Sequence, residues 1–142
     1  MNVFSAMDIL ASGMSAERVR MNTTSSNLAN AQTTRTAEGG PYRRRAPVFA
    51  AVLADNDPFA GEVARASQAV EVVDVVQDRS APRQVYDPSH PDANADGYVA
   101  MPNIEMVEEM VNLLTASRAY EAGITAMRSL VQMAERTLGL GR

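Results

Sequence analysis

The strongest constraint in this chain lies in its last forty residues, 103–142, where apolar and small side chains return every seven positions in two interleaved rows. One row is Met110, Ser117, Ile124, Val131 and Leu138; the other is Met106, Leu113, Tyr120, Met127 and Ala134. Alternating steps of three and four make the seam of a helix that packs lengthwise on a partner helix. Pro102 followed by Asn103 supplies a start with a side-chain cap, while Gly139 and Gly141 supply a stop. The spacing predicts a helix over 104–138, roughly 50 Å long at a rise of ~1.5 Å per residue. A helix of that length has no way to cover its own stripe, so something must lie along it.

The start of the chain offers the partner. Met7, Met14, Met21 and Leu28 are also spaced by seven, and Phe4, Leu10 and Ala11 widen the stripe. This predicts a second amphipathic helix over 3–30, with Asp8, Glu17, Arg18 and Arg20 on its flanks. Two such helices, one from each terminus, can form a hairpin-like pair. Methionine packs adaptably, and Ala116, Ser117, Ala119, Ala122, Gly123 and Ala126 permit a close approach of helices. Gly13 and Gly123 each cost about 1 kcal/mol against alanine in a helix interior, a loss that close packing is expected to offset. One pair of helices cannot bury all this apolar surface, so neighbours are expected.

The middle of the chain reads differently. Residues 30–40 are polar and rich in Thr and Gly, which is loop chemistry. Residues 41–53 follow, where Tyr42, Val48, Phe49 and Val52 predict a strand bent or broken at Pro47. A turn is expected over 55–61, the strongest strand over 70–76, and two short strands over 83–86 and 98–100 around a loop rich in Pro and Asp. The fold class expected is therefore mainly α with a small β-rich middle: long paired N- and C-terminal helices, coiled-coil-like, around an irregular β-rich unit.

No catalytic constellation emerges from the sequence. Asp92, Asn94, Asp96 and Gly97 open like a calcium loop, but the twelfth position is Asn103 where a bidentate Glu is needed. A turn made by Pro and Asx residues accounts for them better. His90 is the single histidine, set in a loop between Pro88 and Pro91, and is read as exposed. Arg43, Arg44 and Arg45 form a compact basic run, read as a solvated edge or a contact with a neighbouring subunit. Glu105, Glu108 and Glu109 begin the last helix, where carboxylates suit the positive end of its dipole. No cofactor and no metal are expected.

A formal charge of −4 over 142 residues argues against general nucleic-acid binding. The absence of cysteine removes disulfides and thiolate chemistry. No apolar run reaches the ~18 residues of a membrane span. Asp8 within the first apolar stretch, without a basic segment ahead of it, argues against a cleaved secretory signal, so export would need another route.

Ser26-Asn27-Leu28-Ala29-Asn30, followed by Thr33 and Thr34, resembles a signature of the flagellar axial proteins, the rod and hook family. The run 39–45, the segments 86–93 and 97–103 and the block Ser117 to Ala122 are similar to proximal-rod members, in the same order along the chain. The resemblance implies an inner domain made of 1–34 and 103–142, an outer domain of 35–102, and many copies stacked helically around a channel. It implies copies of itself and other rod and basal-body proteins as partners, with passage through the flagellar type III export gate from the cytoplasm to a shaft that crosses the periplasm. It also implies that the N-terminal helix orders on assembly. Met7, Leu10, Met14, Met21, Leu28, Met106, Met110, Leu113, Tyr120, Ile124, Met127, Val131 and Leu138 would be the assembly residues. Ser26, Asn27, Leu28, Ala29, Asn30 and Thr33 would be the axial-protein motif. Other rod or hook-basal-body proteins, or a cytoplasmic helical adaptor or export chaperone using the same stripes, are the alternatives.

Overall fold

The computed structural model describes residues 3–53 and 68–139. The turn expected over 55–61, and Gly141, lie outside the described residues. Among those described, helix α1 (Val3–Ala29) is followed by strands β1 (Arg45–Leu53), β2 (Gln68–Gln77), β3 (Arg83–Tyr86) and β4 (Tyr98–Met101), then by helix α2 (Met106–Gly139).

The two helices run antiparallel along each other. Met14 meets Gly123, Arg20 reaches Asn112 and Asn27 reaches Glu109, so one index rises as the other falls. The axis of contact differs from the predicted seam by one residue. Glu109 and Ala116 are buried, Gly123 and Leu130 continue their row, and Leu113, Tyr120, Met127 and Ala134 stand half-buried beside it. In the predicted row of Met110, Ser117, Ile124, Val131 and Leu138, Ser117 and Ile124 stay half-buried while Met110, Val131 and Leu138 turn toward solvent, at 46, 40 and 76 % exposure. The reason is size. Small residues at 116 and 123 let the backbones approach on that side, where larger side chains would hold them apart.

Helix α2 also starts later than predicted. Its first intrahelical bond runs from the Glu109 N–H to the Glu105 carbonyl at 3.0 Å, and Asn103 does not cap it. The Asn103 amide instead donates to Ser80 Oγ at 3.2 Å. Helix α1 ends through Asn30, whose N–H bonds to the Ser26 and Asn27 carbonyls while its side-chain amide returns to the Ser26 carbonyl at 2.9 Å.

Strands β1 and β2 form an antiparallel hairpin from Arg45↔Gln77 to Leu53↔Gln68. Pro47 stays in register opposite Val75, and the irregularity falls one step later, between Val48 and Phe49. In a two-stranded sheet both strands are edges, so proline is tolerated there. The hairpin leans on α1, with the Val70 N–H donating to Ser12 Oγ at 3.1 Å. Strands β3 and β4 pair from Arg83↔Met101 to Tyr86↔Tyr98, with the two tyrosine rings edge to face at 5.2 Å. Gly97 carries φ +79°, and a Cβ there would stand 2.9 Å from the Tyr86 ring, so glycine is required twice over.

The core is thin: Ala31, Tyr42 and Ile104 cluster, and Val99, Ala16 and Ala116 are buried elsewhere. Asn27 and Glu109 are among the most deeply buried side chains. Polar groups, not a large apolar centre, join the helices to the strands.

Candidate functional site

The axial motif and the start of β1 build one polar lock. Asn27 is 1 % exposed, held on the last turn of α1 facing α2. Its Nδ2 donates to the Arg45 carbonyl at 2.8 Å and to Glu109 Oε2 at 2.9 Å. Its Oδ1 accepts the Arg45 N–H at 2.9 Å and the Tyr42 hydroxyl at 3.1 Å. Both donors and both lone pairs of the amide are thus used, as a buried amide requires. Ser26 Oγ lies 3.3 Å from the same tyrosine hydroxyl.

Glu109 carries the charge of the lock. Its Oε1 accepts Arg44 Nε at 2.8 Å and Nη2 at 2.7 Å, and its other oxygen takes Asn27. Glu109 lies in the first turn of α2 as expected, and at 1 % exposure it is in addition an internal ion-pair partner. The Arg43 to Arg45 reading is corrected for Arg44 only, since Arg43 and Arg45 stay exposed. Arg44 pairs within its own chain, and Arg45 stacks its guanidinium 5.8 Å from the Tyr42 ring centroid. A carboxylate in phase with Ala116 and Gly123 was the available signal, because a polar residue at a seam position fixes register.

The rest of the motif ties α1 to the loop before β4. The Tyr42 N–H reaches the Thr33 carbonyl at 3.0 Å, and Thr33 Oγ1 bonds Asn30 Oδ1 at 3.2 Å. Thr34 Oγ1 donates to Asp92 Oδ2 at 2.7 Å, with Arg35 at 3.8 Å from the other oxygen. Asn94 Oδ1 accepts the Asp96 and Tyr98 N–H groups at 3.0 and 2.9 Å. The side-chain oxygens of Asp92 and Asn94 are thus taken up by the loop after α1 and by an Asx turn, and His90 Nδ1 accepts the Asp92 N–H at 3.1 Å. Among the described residues, no group of three or more His, Asp or Glu stands ready for a metal, and no helix is long and apolar enough to cross a membrane.

Beyond the lock runs the apolar seam. Met7, Leu10, Met14, Met21 and Leu28 are half-buried, as are Leu113, Tyr120, Ile124 and Met127. A Cβ on Gly123 would stand 2.6 Å from Met14 Cγ. Arg20 crosses to Asn112 Oδ1 at 3.4 Å and lies 3.8 Å from Glu17 Oε2, a buried oxygen that accepts no hydrogen bond. At the far end the helices part around an open apolar recess of about 390 Å³, lined by Phe4, Met7, Leu130, Met133 and Leu138 among others. Met106 stays 48 % exposed at the opposite end.

Two family models match the chain: "Flagella basal body rod protein" over residues 7–35 and "Flagellar basal body rod FlgEFG protein C-terminal" over 95–140. These cover α1 with the polar motif, and β4 with α2. The chain is 45 % identical to a flagellar basal-body rod protein FlgC of Aquifex aeolicus, covering 96 % of each. It is 39 % identical to that of Bacillus subtilis over the whole of both chains. The counterpart in Borreliella burgdorferi is 38 % identical, covering 99 % of this chain and 98 % of that one.

Proposed function

The chain belongs to the FlgC family of flagellar basal-body rod proteins, and on that premise we propose how its parts serve the rod. It is a structural subunit of the basal-body rod. Relatives matched end to end are rod proteins, which sets the adaptor reading aside. In our reading the chain catalyses nothing and binds no cofactor. Helices α1 and α2 form an inner domain with residues 1–34 and 103–142, and residues 35–102 form the outer part.

The observation that carries this reading is the incomplete cover of the helix pair. Met106, Val107, Met110, Val111, Leu114, Val131, Met133 and Leu138 all stay at least 40 % exposed on α2 after α1 has packed against it. Patches of that kind on a chain of this size mark contact surfaces. Copies of the same subunit and other rod and basal-body proteins cover them, and contacts that do not close on themselves extend into a shaft. The subunit passes the flagellar type III export gate from the cytoplasm in unfolded form and assembles in the part of the rod that crosses the periplasm. A thin core suits such transit, because little buried surface must be undone.

The polar lock anchors the last turns of α1, and its first turns are the loosely held part. In the free subunit those turns fray, and they become covered on assembly, where burial offsets the ordering cost. Deletion of residues 1–30 tests the reading: the truncated chain should be absent from isolated basal bodies and leave cells non-motile. Rods of normal composition and normal swimming would overturn it.

A further inference from the structure

Two exposed surfaces of opposite character face outward at the end of the molecule where α2 begins. The first is a ridge. Val107, Met110, Val111 and Leu114 are 65, 46, 57 and 60 % exposed, and their spacing of three and four gathers them on one side of the helix. That side lies opposite the row of Glu109 and Ala116 that α1 covers. Glu108 borders it, and from Arg118 onward the same side carries Arg118, Glu121, Thr125 and Arg128. The apolar ridge is therefore confined to the first turns of α2.

The second surface is a recess of about 700 Å³ at the base of the β1–β2 hairpin, lined by Arg43, Asp74, Val75, Val76, Gln77 and Arg79. Val75 and Val76 are 40 and 43 % exposed within it. Asp74 turns its Oδ1 back onto the Val75 N–H at 2.7 Å and keeps its charge, but Arg43 and Arg79 outnumber it in the lining, which leaves the recess net basic. Among the described residues, Arg43, Arg79, Glu105 and Glu108 form no ion pair. Ridge and recess lie at one level of the molecule, since Arg44 pairs with Glu109 and Asn103 bonds Ser80 between them.

We propose that the acidic, apolar ridge of one copy seats in the basic, apolar recess of a second copy beside it. The inference rests on the rod-subunit reading and adds to it the faces that meet. Each copy offers both halves, so the contact is heterologous and repeats from copy to copy without closing on a pair. The shared level makes the neighbours lateral. Burial of the Val and Leu side chains drives the contact, while the Glu and Arg charges fix its register and reject wrong pairings between acidic chains.

The chain contains no cysteine, so introduced thiols are unique reporters. Single variants Val76→Cys and Val111→Cys are co-expressed in place of the native chain, and isolated basal bodies are treated with a short bis-maleimide. The expected result is a band of twice the chain's mass from the mixture and none from either variant alone. Glu108→Arg or Arg79→Glu should each lower its yield about tenfold or more through like-charge contact. Both changes in one chain should restore it. Basal bodies that hold both variants yet give no such band overturn the proposal and leave the rod reading intact. A cross-link to a protein of different mass does the same. Absence of the native chain from basal bodies, measured in parallel, would remove the rod reading and this proposal with it.

Discussion

Asn27 and Glu109 show how a conspicuous motif can hold a fold together without doing chemistry. An amide whose four positions are filled from β1, the loop before it and α2 leaves no freedom in where α1, β1 and α2 meet. Replacing Glu109 by Ala strands the Arg44 guanidinium and the Asn27 amide. Arg44 retains some solvent access, so the loss should sit near the lower end of the range for broken buried pairs, about 3 kcal/mol. Urea unfolding of the purified chain measures it, and an unchanged midpoint would refute the lock. A smaller effect is expected at Asp87. The Ser89 hydroxyl first, and then the Ser89 N–H, hold its carboxyl below the ordinary 3.8. A depressed folded pKa means that the associated stability is present above the unfolded value and is lost as pH falls through the folded one. Ser89→Ala should therefore move the Asp87 titration, followed by carboxyl NMR, upward toward 3.8.

At the scale of elements, the helix pair is decided by closeness rather than by the bulk of its stripes. Gly123 admits Met14, and Ala116 is fully buried. Gly123→Val should cost about 1–3 kcal/mol by overpacking. Met14→Ala in the same chain should recover part of that loss, which a double-mutant cycle on thermal melts would read as coupling. Additive effects would mean that the two residues do not meet in solution. The strands follow a simpler logic. Their β-branched runs and the turn at Gly97 were legible because alternation and a positive φ are local properties. Pro47 was not a break because the pairing around it places it on an edge.

For the molecule as a whole, the lock at one end and the open recess at the other make α1 unequal along its length. Hydrogen exchange on the free chain should be slow over Arg20 to Ala29 and fast over Val3 to Ser12, with a gradient between. Uniform protection along α1 would contradict the fraying proposed for the free subunit. In assembled basal bodies the fast end should become protected as neighbours cover Phe4, Met133 and Leu138, which are 72, 54 and 76 % exposed in the single chain.

The sequence alone determined that two long seven-period helices stand at the ends of the chain with short strands between them, because periodicity and turn chemistry are written in neighbouring residues. It also carried the family, through motifs in a fixed order. Only the tertiary structure decided which α2 row faces α1, that Glu109 is a buried charge, and that Arg44 serves its own chain. Those outcomes depend on how near two backbones can come and on which distant donor meets which acceptor. Seven-residue spacing is shared by adjacent rows of a helix, so it cannot choose between a row that a partner covers and a row left for the next molecule.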